Sequence, residues 1–269
     1  MADIGSIFRA LHEAEGAFII PNPWDIGTAK LLAALGFKAL ATTSAGYAFS
    51  RGLPDGGVPF EERINHCREI VAATPLPVSA DLEHGKGDSP DSAAETIFAA
   101  EAAGLAGCSI EDSTGDPANP IYEFSLAVER VAAAAEAARA LKRDFVFTAR
   151  AENFLWGRPD LDDTIRRLQA FEKAGADVLY APRLTSIEQV RAVCQSVSRP
   201  VNVLATADFT VAELAEAGVK RISVGSKLTC LAFAAIERAA KEMLDEGAFT
   251  YDRDSMPFAR LQETFSEAG

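Results

Sequence analysis

Apolar residues in this chain fall into eight short, nearly continuous runs, and alanine-rich segments with helical spacing of apolar positions separate them. Continuous apolar runs, rather than alternating ones, are typical of strands buried on both faces of a parallel sheet. The predicted strands are residues 18–24, 39–44, 77–83, 108–112, 145–152, 178–182, 201–206 and 222–226. A short amphipathic segment precedes the first of them.

The segments between the runs predict helices, at residues 27–35, 61–73, 91–103, 126–141, 161–174, 187–197, 211–217 and 228–246. Four of these helices are followed by a glycine between apolar residues, at Gly36, Gly104, Gly175 and Gly218. Glycine there can adopt the left-handed conformation that ends a helix. Regular alternation of strand and helix over eight units predicts a (β/α)8 TIM barrel, with a helical extension at the C-terminus.

An open doubly wound sheet shares this alternation and is the alternative fold. Such sheets generally have fewer units and carry a glycine-rich phosphate loop after the first strand. The first predicted strand runs instead into Asn22-Pro23-Trp24-Asp25, without a GxGxxG motif. Because no stretch rich in serine, glycine or proline divides the chain, we expect one domain over residues 1–269, including the C-terminal helix and an apolar tail.

The charge of the chain excludes one class of function. The formal net charge is −13 and the isoelectric point is about 4.8, whereas a nucleic-acid-binding surface needs a basic footprint. The N-terminal residues lack the layout of a signal peptide, and no apolar run is long enough to cross a bilayer. We therefore expect a cytoplasmic protein without nucleic-acid or membrane partners.

Polar side chains cluster where the predicted strands end, which in a (β/α)8 barrel is the end that carries the active site. Carboxylates follow four of the eight strands, and converging carboxylates repel one another unless a cation lies among them. Oxygen ligands with no cysteine and only one histidine nearby favour magnesium or manganese over zinc. We predict Mg²⁺, or Mn²⁺, bound directly by Asp81, with Glu83 and Glu111 contacting its water molecules.

Three features near these acids have two interpretations each. Arg150 either clamps the carboxylate of an anionic substrate or forms a structural salt bridge. His84 is either an acid or base of the site or a solvated turn residue. Residues 45–59, with four glycines, form either a mobile lid or a plain surface loop.

Five motifs carry a resemblance to a known family. They are ATTSAG at 41–46, SADLEHGKG at 79–87, SIED at 109–112, TARAEN at 148–153 and PVN at 200–202. Through them the chain resembles the isocitrate lyase and phosphoenolpyruvate mutase superfamily over roughly residues 16–240. The resemblance implies a barrel enzyme that binds a small 2-oxo acid, or its enolate, at Mg²⁺.

On the metal side, the resemblance matches Asp81 to the metal-binding aspartate of the family. Glu83 and Glu111 match the acids around the metal's water molecules, and Asp55 matches a further acid on the following loop.

On the substrate side, Arg150 matches the arginine that binds the substrate's carboxylate. Ser44, Ala45 and Gly46 match the loop whose hydroxyl and backbone N–H groups hold the same carboxylate. Two further strand-end residues, Trp24 and Asn202, are candidate substrate contacts. The candidate catalytic residues are Arg150, Glu111 and His84.

The segment after the fourth predicted strand decides which reaction the family resemblance implies. Isocitrate and methylisocitrate lyases carry a Lys-Cys-Gly-His motif there, with the cysteine as general acid. The mutases and phosphonopyruvate hydrolases carry Lys and Asn-Ser. This chain has STGDPANPIYEF at 113–124, in which only Asn119 partly matches the second pattern.

Three functions follow from the sequence. The first is a Mg²⁺-dependent lyase that cleaves a C–C bond of a small 2-oxo or hydroxy (di)carboxylic acid through an enolate. The second is a P–C bond enzyme of the mutase or phosphonopyruvate hydrolase type, and the third is a non-catalytic barrel that binds an oxo acid. The resemblance also implies a homodimer or homotetramer, in which residues 228–246 and the apolar tail pack on a partner subunit.

Overall fold

A computed structural model describes residues 3–266 of the chain. Its eight strands are β1 Phe18–Ile20, β2 Leu40–Ala41, β3 Val78–Asp81, β4 Gly107–Glu111, β5 Val146–Arg150, β6 Val178–Tyr180, β7 Val201–Leu204 and β8 Arg221–Ser223. Each predicted strand overlaps one of them. Seven of the eight observed strands are shorter than predicted, because the chain leaves the ladder as soon as it reaches the loops, and β4 has its predicted length.

Eleven α-helices surround or follow these strands. They are α1 Ile4–Glu13, α2 Ile26–Ala34, α3 Ser44–Ser50, α4 Phe60–Ala72, α5 Pro90–Ala102, α6 Phe124–Ala140, α7 Leu161–Ala174, α8 Ile187–Ser196, α9 Val211–Glu216, α10 Lys227–Asp245 and α11 Phe258–Ser266. A 3-10 helix, Thr250–Asp254, precedes α11. All eight predicted helices are present within one or two residues of their predicted ends.

The strands form one parallel sheet in the order β1-β8-β7-β6-β5-β4-β3-β2. Between the two outer strands, the Ala41 N–H donates to the Pro21 carbonyl at 3.0 Å, which brings the sheet close to closure. This nearly closed ring of eight parallel strands with alternating helices is a (β/α)8 TIM barrel, as predicted.

The glycines that follow the helices adopt the predicted left-handed conformation. Their φ angles are 92° at Gly36, 87° at Gly104, 109° at Gly175 and 97° at Gly218. Gly175 has a second constraint, because a Cβ atom there would lie 2.4 Å from Nη1 of Arg139. The glycine recurs at these helix-to-strand turns because each turn needs a residue with a positive φ angle.

One end of the barrel is sealed by α1. Phe8 of this helix is fully buried and packs with residues at the starts of the strands, namely Ala39, Ala106, Val146 and Val178. Arg9 fixes the helix through ion pairs with Asp144 and Asp177. The cavity of the barrel therefore opens only at the opposite end, where the strands finish.

Helix α3 was not predicted. Residues 45–59 were expected to be a lid or a loop, but the first six of them continue a helix that begins at Ser44. The Thr43 side chain caps this helix by accepting from the Gly46 N–H at 3.1 Å. Gly46 and the nearby Gly52 hid the helix from pattern analysis, because glycine disfavours helix interiors.

The C-terminal helices differ in how they pack. Helix α11 packs on α2, whereas in α10 only Thr229 is buried and large apolar side chains are exposed. No helix within residues 3–266 combines the length and apolarity needed to cross a membrane.

Candidate active site

A cavity of about 560 Å³ opens at the C-terminal ends of the strands. Nine of the predicted site residues line it: Ser44, Ala45, Asp55, Asp81, Glu83, His84, Glu111, Arg150 and Asn202. Two do not. The Gly46 N–H is used in the cap of α3, and Trp24 lies beside α4, where its carbonyl oxygen lies 3.0 Å from Nε2 of His66.

Arg150 is the centre of the carboxylate cluster. Its Nη1 lies 2.8 Å from Oδ1 of Asp81, its Nη2 lies 3.1 Å from Oε2 of Glu111, and its Nε lies 2.8 Å from Oε1 of Glu152. The strand register explains this convergence. Arg150 on β5 is the register partner of Glu111 on β4, and Asp81 on β3 is the partner of Ser109, two residues before Glu111 on the same face of β4. Both interpretations of Arg150 are geometrically compatible with this hub.

Asp81 is held from the other side by the start of α3. Its Oδ2 accepts from the Ser44 hydroxyl at 2.8 Å and from the Ser44 N–H at 3.1 Å. A carboxylate at a helix N-terminus satisfies N–H groups that have no partner within the helix. Burial opposes ionisation of Asp81, but Arg150 and the Ser44 hydrogen bonds outweigh it and lower the pKa. Asp81 is therefore an anion at neutral pH.

Glu83 sits in a strained conformation at the rim of the cavity. Its φ angle of 53° is in the left-handed region, which costs a non-glycine residue about 1–3 kcal/mol. A buried ion pair with Arg63 of α4, at 2.5 Å, and a hydrogen bond from the Glu111 N–H to its carbonyl hold it there. Burial raises the pKa of Glu83 to about 7, although Arg63 opposes this effect.

The cluster carries more negative charge than its arginines neutralise. Burial raises the pKa of Glu111 well above its usual value, with Glu152 and Asp81 adding to the effect. At the mouth, burial and the charge of Asp81 also raise the pKa of Asp55. Raised pKa values on neighbouring acids mean that a cation placed among them would be stabilised.

The donor set fits a magnesium ion with mainly water ligands. Within residues 3–266, no three His, Cys, Asp or Glu side chains are arranged to hold an ion together. Mg²⁺ characteristically takes one or two carboxylates and keeps several waters. Asp81 would hold it, with Glu83 and Glu111 outside. Oε2 of Glu152, buried without a hydrogen-bond partner, shows that the cluster contains oxygen atoms with unused acceptor capacity.

The segment at 113–124 is a compact turn beside His84. Ser113 pairs with Ile121 in an antiparallel bridge, and the Thr114 hydroxyl donates to the Asn119 carbonyl at 2.7 Å. The turn places Gly115 against the His84 ring, since a Cβ on Gly115 would lie 3.5 Å from its Cε1 atom. His84 is thus a titratable side chain that contacts the segment at 113–124.

Sequence reasoning missed several residues that shape this site. Glu152 lies at the end of a predicted strand, but nothing in the sequence marks it as a partner of Arg150. Arg63 lies in an amphipathic helix, where a basic residue is normally solvated. Trp156, which lines the cavity and donates to Ser113 at 3.2 Å, lies in a segment without periodicity.

The family model described as phosphoenolpyruvate phosphomutase matches residues 8–244 of the chain. The chain belongs to this family. The match covers every residue of the carboxylate cluster, and the predicted isocitrate lyase and phosphoenolpyruvate mutase superfamily is confirmed.

Individual relatives agree with this assignment. A Burkholderia cenocepacia J2315 structure, described provisionally as a lyase/mutase, is 52% identical, with a TM-score of 0.96 and 98% of each chain covered. The 2-methylisocitrate lyase of Escherichia coli K12 is 31% identical over 89% of this chain and 82% of its own length. The structure of 2,3-dimethylmalate lyase is 26% identical, with a TM-score of 0.86, covering 98% of this chain and 95% of that chain. These relatives support an enzyme of the lyase class.

Proposed function

We propose that this protein is a Mg²⁺-dependent lyase that cleaves a C–C bond of a small 2-oxo or 2-hydroxy dicarboxylic acid, of oxaloacetate or malate type, through an enolate. The observation that carries the proposal is the cluster of Asp81, Glu111 and Arg150 at the open end of the barrel. The relatives named 2-methylisocitrate lyase and 2,3-dimethylmalate lyase support it, because both names describe 2-hydroxy acid cleavage.

The metal is needed for charge stabilisation. When bound, Mg²⁺ would polarise the 2-oxo or 2-hydroxyl oxygen of the substrate and offset the negative charge that develops there. Asp81 would hold the ion, and Glu83 and Glu111 would accept hydrogen bonds from its waters. Arg150 would then exchange its contact with Asp81 for the substrate's carboxylate.

The carboxylate of the substrate is received by groups on two elements. Arg150 offers a planar fork of N–H donors, which matches a carboxylate in two parallel hydrogen bonds. At the start of α3, the Ser44 hydroxyl and N–H donate to Asp81 and would exchange that partner for the substrate's carboxylate, whereas the Ala45 N–H lies in the first turn of the helix and needs no such exchange. A group held at both places is fixed in orientation, and the scissile bond is fixed with it.

Proton transfer is assigned to His84. Burial, with Arg63 and Arg130 nearby, lowers the pKa of His84, so the imidazole is neutral near pH 7 and can accept a proton. For a 2-hydroxy acid, it would take the hydroxyl proton as the C–C bond breaks and return it to the carbon that keeps the electron pair. His84 thereby replaces the cysteine of the related lyases.

A P–C bond enzyme is the second candidate. The family model that matches residues 8–244 is named for phosphoenolpyruvate phosphomutase, and a phosphonopyruvate carries the same 2-oxo-acid end that the cluster is proposed to hold. An assay of phosphate or phosphoenolpyruvate formed from phosphonopyruvate separates it from the lyase. Mg²⁺-dependent binding of oxo acids without turnover of any of them would instead indicate a non-catalytic barrel.

The proposed enzyme acts as a homodimer or homotetramer. Helix α10 exposes Phe233, Ile236 and Leu244 on one face, within about 80° of one another around the helix axis, and Leu244 has 84% of its surface accessible. An apolar helix face of this kind is typical of a subunit interface. We therefore place the partner subunit on α10.

A further inference from the structure

Arg221 is a buried arginine without a carboxylate partner. It lies on β8, is 5% exposed, and lines the floor of the cavity. Its three partners are neutral: Nε donates to Oδ1 of Asn202 at 2.8 Å, Nη2 donates to Oγ1 of Thr148 at 3.0 Å, and Nη1 lies 3.3 Å from Nε2 of His12.

Two of the other buried arginines of the described chain have carboxylate partners: Arg63 pairs with Glu83, and Arg167 pairs with Asp112 and Asp163. Arg130 donates to main-chain carbonyls and stacks on Tyr122, but it does not line the cavity. Among the described residues, Arg221 is therefore the buried arginine that faces the cavity without a carboxylate partner. Burial lowers the pKa of Arg221 to about 10, so the group stays charged at neutral pH. A buried charge without an opposite charge costs several kcal/mol, and an anion bound beside Arg221 would offset that cost.

The imidazole beneath Arg221 cannot share its charge. Burial lowers the pKa of His12 to about 3. Its Nδ1 lies 2.9 Å from the Phe8 carbonyl and donates to it, which leaves Nε2 as an acceptor for Arg221. The positive charge on the cavity floor therefore belongs to Arg221 alone.

Arg221 fixes a chain of hydrogen-bond donors that ends in the cavity. Because Oδ1 of Asn202 accepts from Arg221, its Nδ2 points to Ser223 and donates to Oγ at 3.0 Å. Ser223 is an acceptor in that bond, so its own proton goes to a further acceptor, and the Tyr180 hydroxyl is the neighbour with which a ligand would compete for it. Both Ser223 and Asn202 line the cavity.

The inward-facing side chains around Arg221 include small and polar residues. Inward positions of a (β/α)8 barrel are normally filled by branched apolar side chains. Here they include Ser79, Ser109 and Asn202, all lining the same cavity. The floor is thus polar and cationic, whereas the opposite wall carries the carboxylate cluster.

We propose that Arg221, acting through Asn202 and Ser223, forms a second anion subsite that holds the distal carboxylate of a dicarboxylic substrate. The inference rests on the proposed function, in which Arg150 holds the first carboxylate. Arg221 is a positioning residue that orients the Ser223 hydroxyl and supplies the charge behind it. The subsite selects dicarboxylic acids over monocarboxylic acids of the same length.

The test compares two ligands that differ only in the distal group. Malate and 2-hydroxybutyrate share the 2-hydroxy-acid end, and a carboxylate in one replaces a methyl group in the other. Their binding, both enantiomers, is measured by calorimetry with Mg²⁺, and the KM and kcat of malate are measured if it turns over. We expect Arg221→Met to weaken malate binding by about 10- to 100-fold and to leave 2-hydroxybutyrate within about twofold.

Further variants keep the test informative if Arg221→Met does not fold. Ser223→Ala removes the terminal hydroxyl but leaves the Arg221–Asn202 contact, and we expect it to weaken malate alone by about 10-fold. Arg221→Lys keeps the charge and should recover part of the malate affinity. Ser196→Ala is the matched control: Ser196 lies on α8, donates to the Ala192 carbonyl at 2.7 Å and does not line the cavity, so the same change there should leave the binding of both ligands unchanged.

The outcomes separate this inference from the proposed function. Arg150→Lys should weaken both acids, because both carry the first carboxylate. Equal losses for both acids in Arg221→Met and Ser223→Ala would overturn the subsite, as would wild-type protein that binds 2-hydroxybutyrate as tightly as malate. Wild-type protein that binds neither acid contradicts the proposed function, and the subsite falls with it.

Discussion

The Nη1 atom of Arg150 lies 2.8 Å from Oδ1 of Asp81, so the residue proposed to bind the substrate's carboxylate forms an ion pair with the residue proposed to bind the metal. Ser44 donates to the second oxygen, so both carboxylate oxygens of Asp81 already accept hydrogen bonds, and a bound ion would compete with Arg150 for Oδ1. We therefore expect metal and substrate binding to be coupled: an ion at Asp81 frees Arg150, and a substrate carboxylate gives Arg150 a new partner. The Arg150–Asp81 ion pair would thus be replaced by an Asp81–metal contact and an Arg150–substrate contact when both ligands bind.

Asp81→Asn keeps the shape of the side chain and removes its charge. We expect kcat to fall by at least about 100-fold, because the ion loses its direct ligand. The fold should persist, since Ser44 can still hydrogen-bond the amide oxygen. Steady-state kinetics and a thermal melt measure the two effects. Asp91→Asn, on an exposed position at the start of α5, is the control. Full activity of Asp81→Asn would contradict the metal assignment.

Joint binding predicts cooperativity between Mg²⁺ and a small oxo acid. Calorimetric titration of Mg²⁺ should give a tighter Kd in the presence of pyruvate than in its absence, and pyruvate should bind more tightly with Mg²⁺ by the same factor. In Arg150→Met, nothing competes with the ion for Oδ1 of Asp81, although Ser44 still donates to Oδ2, so the Kd of Mg²⁺ should change little when pyruvate is added. Equal Mg²⁺ affinity with and without pyruvate in the wild type would refute the exchange.

The raised pKa of Glu83 predicts how stability depends on pH. Its folded-state pKa is about 7, above the ordinary value of 4.5, so the folded protein holds this proton more tightly than the unfolded chain does. The resulting stabilisation is complete below about pH 4.5 and is lost as the pH rises through 7. In metal-free protein, Glu83→Gln should flatten the fall in Tm between these limits.

Magnesium should oppose that fall, because it stabilises the ionised acids. The gain in Tm on adding Mg²⁺ should be larger at pH 8 than at pH 6. A gain that is the same at both values would argue against Glu83 and Glu111 as groups facing the ion.

Two of the helix-ending glycines form a matched pair for stability. Gly36 and Gly175 both have left-handed φ angles, but a Cβ on Gly36 would meet nothing within 4 Å, whereas one on Gly175 would meet Arg139 and Ala135. We expect Gly36→Ala to lower the free energy of unfolding by about 1 kcal/mol, and Gly175→Ala to lower it by about 2–3 kcal/mol. Denaturant unfolding measures both. Equal losses would show that backbone strain alone matters there.

The exposed face of α10 predicts the state of assembly. Ile236→Asp places a charge where the partner subunit is proposed, and the side chain is 65% exposed within one chain. Light scattering should show a dimer or tetramer for the wild type and a smaller species for the variant. Glu237→Gln, next along the helix, should leave the mass unchanged. A monomeric wild type would rule out the interface.

Much of the barrel was predictable because its signals are local. Continuous apolar runs gave all eight strands, and glycines such as Gly175 marked where helices end. Strand ends could be placed only approximately, because a strand such as Leu40–Ala41 stops where its ladder stops, and pairing is not visible in one sequence. Helix α3 was missed because capping by Thr43 and packing against α10 outweigh its glycine.

The site was predictable where a residue's place on a strand determines its direction. Asp81, Glu111 and Arg150 end three neighbouring strands, and the barrel brings such residues together. Arg221 was not found, because a basic residue next to a predicted strand is normally exposed to solvent. Its burial depends on α1, whose His12 contacts Arg221 although it lies 209 positions away in the sequence.

Product formation with and without Mg²⁺ tests the central claim most directly. The panel contains oxaloacetate, malate, 2-methylisocitrate, 2,3-dimethylmalate and phosphonopyruvate, with oxo-acid, acetate and phosphate products measured by chromatography. The account predicts that at least one C–C substrate is cleaved, that EDTA abolishes the reaction, that Mg²⁺ restores it, and that Asp81→Asn lacks it. Cleavage that persists in EDTA and in Asp81→Asn, or turnover of phosphonopyruvate alone, would contradict the account.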